Sequence, residues 1–157
     1  MQVLIYQATA NCPDGWETLP TSESKCYRQS PRTDKLNFQD AMTKCGDENA
    51  ILAEPRTDEE NQAFATAFNS KVRYWIGITD QEIEGTFKYV SDDTEVGFTP
   101  FSPKSRKAKH DCVSFRNGKW DTFHCIKKKL PYICQMEMET CPTGFFGFPE
   151  CDNGRYF

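Results

Sequence analysis

The sequence predicts an α+β fold in which two helices lie beside a largely antiparallel sheet and disulfides hold the chain together. Two amphipathic helical segments come early, short β-type segments follow them, and the 157-residue chain contains eight cysteines. Helices grouped before strands are typical of this class. An even number of cysteines in a small chain indicates a disulfide framework formed in an oxidising compartment. We therefore expect a secreted protein or the extracellular part of a cell-surface protein.

The first helix is predicted in "NFQDAMTKCGDE", where Asn37 has the side chain of a good N-cap. A helical period places Phe38, Met42 and Cys45 on one face, with Ala41 beside them. This pattern indicates a helix packed on a core.

The second helix is predicted in "TDEENQAFATAFNS", which opens with Thr57 and has Glu60 three residues later. This spacing is that of a capping box. Phe64, Ala67 and Phe68 then form the expected apolar face.

Short runs rich in β-branched and aromatic residues predict strands at 74–79, 86–90, 112–115 and 132–136. Asn117 and Gly118 lie between "CVSFR" and "KWDTF". This pair indicates a tight hairpin because both residues tolerate the positive φ of a type I′ turn. Residues 80–111 contain little regular structure beyond one predicted strand, and long irregular loops of this kind are often functional.

Five separated motifs now carry a resemblance: "CPDGWETLPTSESKCYR", "AMTKCGDENAILAEPRTDEENQ", "YWIGITDQEIEGTFKYV", "DCVSFRNGKWDTFHC" and "LPYICQ". In this order and register they resemble the C-type lectin-like domain, in its long form with an extra N-terminal disulfide. The resemblance implies a C-type lectin-like fold with a long irregular loop region. It divides the chain into a lead-in at 1–11, the domain at 12–136 and a tail at 137–157.

The resemblance also implies a cysteine pairing that counting alone leaves open, since eight cysteines allow 105 arrangements. Two core bridges and one N-terminal bridge are implied, namely Cys45–Cys134, Cys112–Cys125 and Cys12–Cys26. The tail "CPTGFFGFPECDNGRYF" resembles the closing half of an epidermal-growth-factor-like or laminin-like repeat, which implies a local bridge between Cys141 and Cys151. A small disulfide-closed tail of another kind is the alternative.

Lectins of this family bind sugar through a calcium ion held by oxygen ligands, and several of those ligands are missing here. The family's Glu-Pro-Asn or Gln-Pro-Asp triplet is replaced by residues 102–104, and His110 stands where a glutamate commonly precedes the Asp-Cys pair. The Trp-Asn-Asp motif reads Trp120-Asp121-Thr122. We therefore expect no cofactor, and no calcium at the usual sugar site.

Basic residues occupy the loop where the acidic ligands would lie, although the chain has a formal net charge of −4. The candidate ligand-binding residues are Lys104, Arg106, Lys107, Lys109, Asp121 and Thr122. Such a loop favours an anionic partner, either a sulfated or sialylated glycan or an acidic protein surface. A solvated loop without a ligand is the alternative. Whether the second basic run at 127–129 lies on the same face is left open.

Other acidic residues are weaker candidates for an ion site. Asp92, Asp93 and Glu95 lie in a predicted turn, and Glu54 and Glu60 lie near an accessory calcium position of some relatives. Arg56 stands between the two glutamates, which favours an ordinary structural role for both.

The remaining patterns exclude several classes of function. The chain lacks the common motifs of hydrolases, metalloproteases and phosphate-binding enzymes, so we expect no enzyme. Its acidic balance argues against nucleic-acid binding, and its apolar runs are too short for membrane insertion. The leading hypothesis is a calcium-independent recognition domain for a protein or anionic glycan. The alternatives are a calcium-dependent lectin with an altered site, supported by Asp121, and a structural matrix component, supported by the tail.

Overall fold

The computed structural model describes residues 12–103, 105 and 107–138, together with the backbone of 151–152 and 155–156. The helices are α1 (Phe38–Gly46) and α2 (Asp58–Ala67). The strands are β1 (Glu17–Leu19), β2 (Ser22–Gln29), β3 (Ile51–Leu52), β4 (Tyr74–Thr79), β5 (Lys88–Tyr89), β6 (Cys112–Arg116), β7 (Lys119–Phe123), β8 (Ile133–Glu137), β9 (Cys151–Asp152) and β10 (Arg155–Tyr156). Within this part of the chain, no helix is both long and apolar enough to span a bilayer.

The first sheet joins the two ends of the domain. Its four strands are ordered β1-β2-β8-β3, and all neighbours are antiparallel. The final strand β8 lies between β2 and β3, with Cys26 opposite Met136 and Leu52 opposite Cys134. Because the last strand of the domain pairs with an early strand, the two ends of the domain stabilise each other.

The second sheet carries the long loop. Its order is β5-β4-β6-β7, and every pairing is antiparallel. The predicted hairpin between β6 and β7 is confirmed: Asn117 has φ 48° and Gly118 has φ 79°. Cys112 faces Phe123 at the other end of this hairpin. The predicted strand at 86–90 is shorter in the structure, since only Lys88–Tyr89 pairs with β4.

Both helices begin at the predicted caps. The Asn37 side chain accepts a hydrogen bond from the Asp40 N–H at 2.8 Å, and that of Thr57 accepts one from the Glu60 N–H at 3.1 Å. The Glu60 carboxylate accepts from the N–H of Arg56 at 2.7 Å, one residue before the cap itself. The capping box is therefore present in a shifted form.

The buried face of α2 differs from the expected one. Phe64 and Phe68 are buried as predicted, but Ala67 is exposed because the helix ends there. Asn61 takes its place in the core with no exposed surface. Its side chain donates to the carbonyl of Gly118 at 2.8 Å and accepts from the indole N–H of Trp120 at 2.9 Å. This amide thus ties α2 to the β6–β7 hairpin.

The apolar core forms two clusters, one around Trp120 and Phe64 and the other around Trp75 and Phe38. Trp75 and Trp120 have no exposed surface. Phe98, in the long loop, is partly buried with its ring centre 5.1 Å from that of Trp120. The long loop therefore supplies part of the core.

Three disulfides are present with the implied pairing, and each has the Cα separation that a bridge requires: 5.6 Å for Cys12–Cys26, 5.5 Å for Cys45–Cys134 and 5.2 Å for Cys112–Cys125. β9 and β10 pair as a short antiparallel ribbon. The bridge assigned to Cys141 and Cys151 lies outside the described residues, as do the lead-in at 1–11 and most of the tail assigned to an epidermal-growth-factor-like fragment.

Removing the Cys45–Cys134 bridge with a double substitution to alanine should be the most destabilising of the three deletions. This bridge spans 89 residues, against 14 for Cys12–Cys26. In the chain-entropy model the longer loop corresponds to about 4 to 5 kcal/mol and the shorter one to about 3 kcal/mol. Denaturant unfolding of both double variants measures the difference. An equal loss of unfolding free energy, or a larger one for Cys12–Cys26, would contradict this order.

Candidate ligand-binding site

The long loop returns to the fold along β7. The N–H of Trp120 donates to the carbonyl of Pro100 at 3.0 Å, and the N–H of Ser102 donates to the carbonyl of Trp120 at 2.9 Å. Farther along, the Thr122 hydroxyl donates to the carbonyl of Ser105. These contacts fix the path of the loop just before and within its basic segment. Thr122, a predicted ligand-binding residue, is 3% exposed and uses its hydroxyl to anchor the loop.

Two of the four predicted basic residues are described, and both are exposed. Lys107 and Lys109 lie in a turn closed by the N–H of His110, which donates to the carbonyl of Lys107 at 3.0 Å. Lys109 has φ 70° in this turn. Lys104 and Arg106 lie outside the described residues.

Asp121, the remaining carboxylate of the Trp-Asp-Thr motif, forms an ion pair with Arg73. The same guanidinium lies 3.4 Å from the hydroxyl oxygen of Ser114. Calcium in proteins takes six to eight oxygen ligands, and this position offers one carboxylate that an arginine already neutralises. Among the described residues at this position, the one carboxylate is therefore engaged by an arginine and does not by itself fit a calcium ion.

The Cys112–Cys125 disulfide brings two basic runs to one end of the β6–β7 hairpin. Lys107 and Lys109 precede Cys112, where β6 begins, and residues 127–129 follow Cys125, just after β7 ends. The Asn117–Gly118 turn lies at the opposite end. The second basic run, whose placement the sequence left open, thus leaves the hairpin at the same end as the long loop.

Phe123 lies between the two runs. Its half-buried ring is nearly parallel to that of His110, with centres 6.4 Å apart. The Lys128 ammonium nitrogen, from the second run, lies 4.7 Å from the Phe123 ring centre, and the Arg73 guanidinium carbon lies 5.2 Å from it. Cations within about 6 Å of an aromatic ring centre are attracted by its quadrupole. We call His110, Phe123, Arg73 and Lys128 the Phe123 cluster.

Most of the lysines around this cluster lack a carboxylate partner. Among the described residues, the ion pairs involve Arg73 and four other basic side chains, but no lysine of either basic run. The free lysines are Lys107, Lys109, Lys127, Lys128 and Lys129. Although the whole chain has a formal net charge of −4, these five cations are grouped at this end of the hairpin, together with Asp111, which directly precedes β6.

A second arginine, Arg56, lies among the carboxylates around Glu54 and pairs with them. The Glu54 carboxylate is 1% exposed and accepts hydrogen bonds from Arg56 at 2.8 Å and from the Ser91 hydroxyl at 2.6 Å. Arg56 also pairs with Asp92 at 3.1 Å and lies over the Tyr89 ring at 3.8 Å. Burial alone would lower the pKa of Arg56, but its hydrogen bonds with Asp92 and Glu54 raise it. An internal guanidinium therefore supplies the positive charge that these carboxylates need.

Asp80, Glu84 and Asp111 form a separate acidic group at the start of the long loop. Burial, opposed by a hydrogen bond from the Gly85 N–H, raises the pKa of Asp80, and the Asp111 charge raises it further. Desolvation and the charges of Asp80 and Asp111 raise the pKa of Glu84. The second carboxylate oxygen of Asp80 is buried without a hydrogen-bond partner in the described part of the protein. In that same part, no three His, Cys, Asp or Glu residues are grouped closely enough to hold a metal ion.

Sequence analysis missed the roles of Arg73 and Phe123, because nothing in their local patterns distinguishes them. The signal for Phe123 was its place next to the predicted hairpin and two residues before Cys125. The implied Cys112–Cys125 bridge, combined with that hairpin, would have placed both basic runs at one end. Arg73 had no comparable signal, since its partners come from the other strands of the sheet.

Substituting Asp92 with asparagine should flatten the dependence of stability on pH in acid. Hydrogen bonds from the Thr94 hydroxyl and N–H, with help from Arg56, lower the pKa of Asp92 to about 2. The pKa of an aspartate in an unfolded chain is about 3.9, so the folded protein takes up this proton only at a lower pH. The stability that Asp92 contributes is present above about pH 4 and is lost as the pH falls toward 2. Denaturant midpoints between pH 5 and 2 measure this contribution.

Asp93→Asn is the matched control, since Asp93 lies on the same turn but makes none of these contacts. It should keep the acid-dependent loss of the parent protein. A similar loss in the Asp92→Asn variant would contradict the assignment.

Comparison with known proteins agrees with this architecture. The family model described as "Lectin C-type domain" matches residues 34–136. The chain is similar to a perlucin-like protein of Mytilus galloprovincialis, with 29% identity over 81% of this chain and 84% of the relative. It is also similar to a mannose-binding protein of Gallus gallus, with 30% identity over 59% of this chain but only 37% of the relative.

Among solved structures, the chain resembles the carbohydrate-recognition domain of the mouse scavenger receptor C-type lectin. The TM-score is 0.71 at 28% identity, and the match covers 83% of this chain and 100% of that domain. C-type lectin domains are recognition domains that bind glycans or proteins, and the family is not a group of enzymes. The match at 34–136, the two helices beside antiparallel sheets and the three disulfides show that this chain belongs to the C-type lectin domain family.

Proposed function

We propose that this protein is an extracellular recognition domain that binds an anionic ligand, either an anionic glycan or an acidic protein surface, without the family's usual calcium-sugar site. The observation that carries the proposal is the convergence of two basic runs at one end of the β6–β7 hairpin. Their described lysines make no ion pair within the described residues. Unpaired cations grouped on one surface attract anions and speed their association.

The state of Asp121 and Thr122 supports a mechanism without calcium at the sugar site. Asp121 is paired with Arg73, and the buried Thr122 hydroxyl donates to the long loop. Both residues thus maintain the surface on which the lysines lie. We propose that Lys104, Arg106, Lys107 and Lys109 contact the ligand, while Asp121 and Thr122 hold the loop and the cluster in position.

A calcium-dependent lectin with an altered site is the second candidate. The observation in its favour is the buried Asp80 oxygen that lacks a hydrogen-bond partner among the described residues, although its neighbouring carboxylates do not form a group able to hold a metal ion by themselves. Asp80 directly follows β4 whereas Asp121 lies on β7, so separate substitutions can distinguish the two positions. A structural role in a matrix depends on the tail assigned to an epidermal-growth-factor-like fragment, and it predicts self-association without added ligand.

The test is binding of the purified protein to an array of neutral, sialylated and sulfated glycans and to acidic polypeptides, with calcium and with a chelator. We expect chelator-resistant binding to anionic probes that weakens as salt is added, because exposed charges are screened. The variant K104Q/R106Q/K107Q/K109Q should lose this binding. The matched control R32Q/K44Q/R116Q/K119Q removes four exposed positive charges elsewhere and should retain most of it.

Binding to neutral sugars that is abolished by the chelator would overturn the proposal and favour the second candidate. In that case Asp80→Asn, but not Lys107→Gln, should abolish the calcium response. Anion binding that is equally weak in the four-residue variant and its control would also contradict the proposal, because net charge rather than the loop would then determine affinity.

A further inference from the structure

We propose that the anionic ligand is a sulfated polysaccharide, and that its chain contacts both basic runs across the Phe123 cluster. In this arrangement Lys127, Lys128 and Lys129 form the second half of the binding surface. This inference rests on the proposed function, which assigns the first half to the long loop. It adds a ligand class and a set of contact residues outside that loop.

Distances within the cluster place the second run close to the residue that follows the first run. The Phe123 ring centre lies 6.4 Å from that of His110, which directly follows Lys109, and 4.7 Å from the Lys128 ammonium nitrogen. Both distances are shorter than the screening length of about 8 Å at physiological ionic strength. A chain of anionic groups passing over Phe123 would therefore interact with both runs at once.

The backbone of the second run is fixed while its side chains remain accessible. The N–H groups of Ile126 and Lys127 donate to the His124 ring nitrogen Nδ1, each at 3.3 Å, and the N–H of Lys128 donates to the His124 carbonyl at 3.1 Å. Leu130 then pairs with Leu36. Lys127 and Lys129 are exposed between these anchors. A fixed backbone lowers the entropy lost when a ligand binds.

The chemistry of this surface favours a sulfated chain over a protein partner. Lysine ammonium groups are point charges without the fixed fork of arginine, so they suit anionic groups repeated along a flexible chain. Stable protein interfaces usually have a buried core of large apolar and aromatic side chains. Among the described residues the exposed large apolar side chains are Ile51, Ile83 and Ile126, and of these Ile126, at 69% exposure, directly adjoins a basic run in sequence. Two separated basic runs also match a ligand whose charges repeat.

The experiment measures affinity for heparin fragments of increasing length by titration calorimetry in a chelator. The variants are K127Q/K128Q/K129Q and the matched control K44Q/R116Q/K119Q, in which Arg116 and Lys119 face each other at the opposite end of the hairpin. Thermal unfolding confirms that each variant is folded. Because a longer chain can contact both runs, the affinity of the parent protein should rise with fragment length.

For long fragments, K127Q/K128Q/K129Q should weaken binding by about 3- to 100-fold, the range expected for three exposed charge contacts. The affinity for the shortest fragments should fall much less, and the control variant should change the affinity little at any fragment length. Desulfated heparin and polyglutamate of similar charge should bind more weakly than heparin.

Two results would overturn this inference and leave the proposed function intact. In one, K104Q/R106Q/K107Q/K109Q abolishes heparin binding while K127Q/K128Q/K129Q matches its control. In the other, polyglutamate binds as tightly as heparin, which would favour an acidic protein ligand. If none of the anionic probes binds the parent protein, both the inference and the proposed function fail.

Discussion

The Cys112–Cys125 disulfide is the constraint on which the candidate surface depends. Antiparallel pairing already sets Cys112 opposite Phe123, and the bridge extends that register past the end of β7. It therefore determines where the chain enters and leaves the hairpin. Since the long loop ends just before the first cysteine and the lysine run begins just after the second, one covalent bond places both near Phe123. The larger Cys45–Cys134 loop matters for stability, whereas this small one matters for the shape of the surface.

Two arginines have parallel roles elsewhere in the domain. Arg73 pairs with Asp121, and Arg56 pairs with the buried Glu54. A buried carboxylate requires a compensating positive charge, which a metal ion or a side chain can supply. In this protein the side chains supply it at both positions. The acidic group around Asp80 has no such arginine among its described contacts. Desolvation, together with the charges of neighbouring carboxylates, raises the pKa values of Asp80 and Glu84. Arginines thus neutralise carboxylates at two sites within the fold, whereas the lysines near Phe123 have no carboxylate partner among the described residues.

Local sequence signals predicted much of the fold. The caps at Asn37 and Thr57 and the Asn117–Gly118 turn depend on neighbouring residues only, and each was correctly placed. Strands β1, β2 and β3 were not predicted. For β3, two residues give too weak a pattern, and its pairing with β8 is made at long range. Ala67 was wrongly placed in the core because periodicity does not reveal where a helix ends.

The candidate site was less accessible from sequence. The missing calcium ligands and the basic loop could be recognised from the residues alone. The relation between the loop and the run at 127–129 requires both the hairpin register and the disulfide, and the contacts of Arg73 require the assembled sheet. Buried Asn61 was likewise unexpected, since an amide on an apolar helix face is explained only by its two partners on the hairpin.

Backbone amide chemical shifts, followed while a sulfated heparin fragment is added in chelator, test the central claim most directly. The largest chemical-shift changes should occur at 107–110 and 123–129, and the shifts of the Asn117–Gly118 turn should be unaffected. Changes confined to the acidic group around Asp80 and Glu84, or changes that require added calcium, would contradict it.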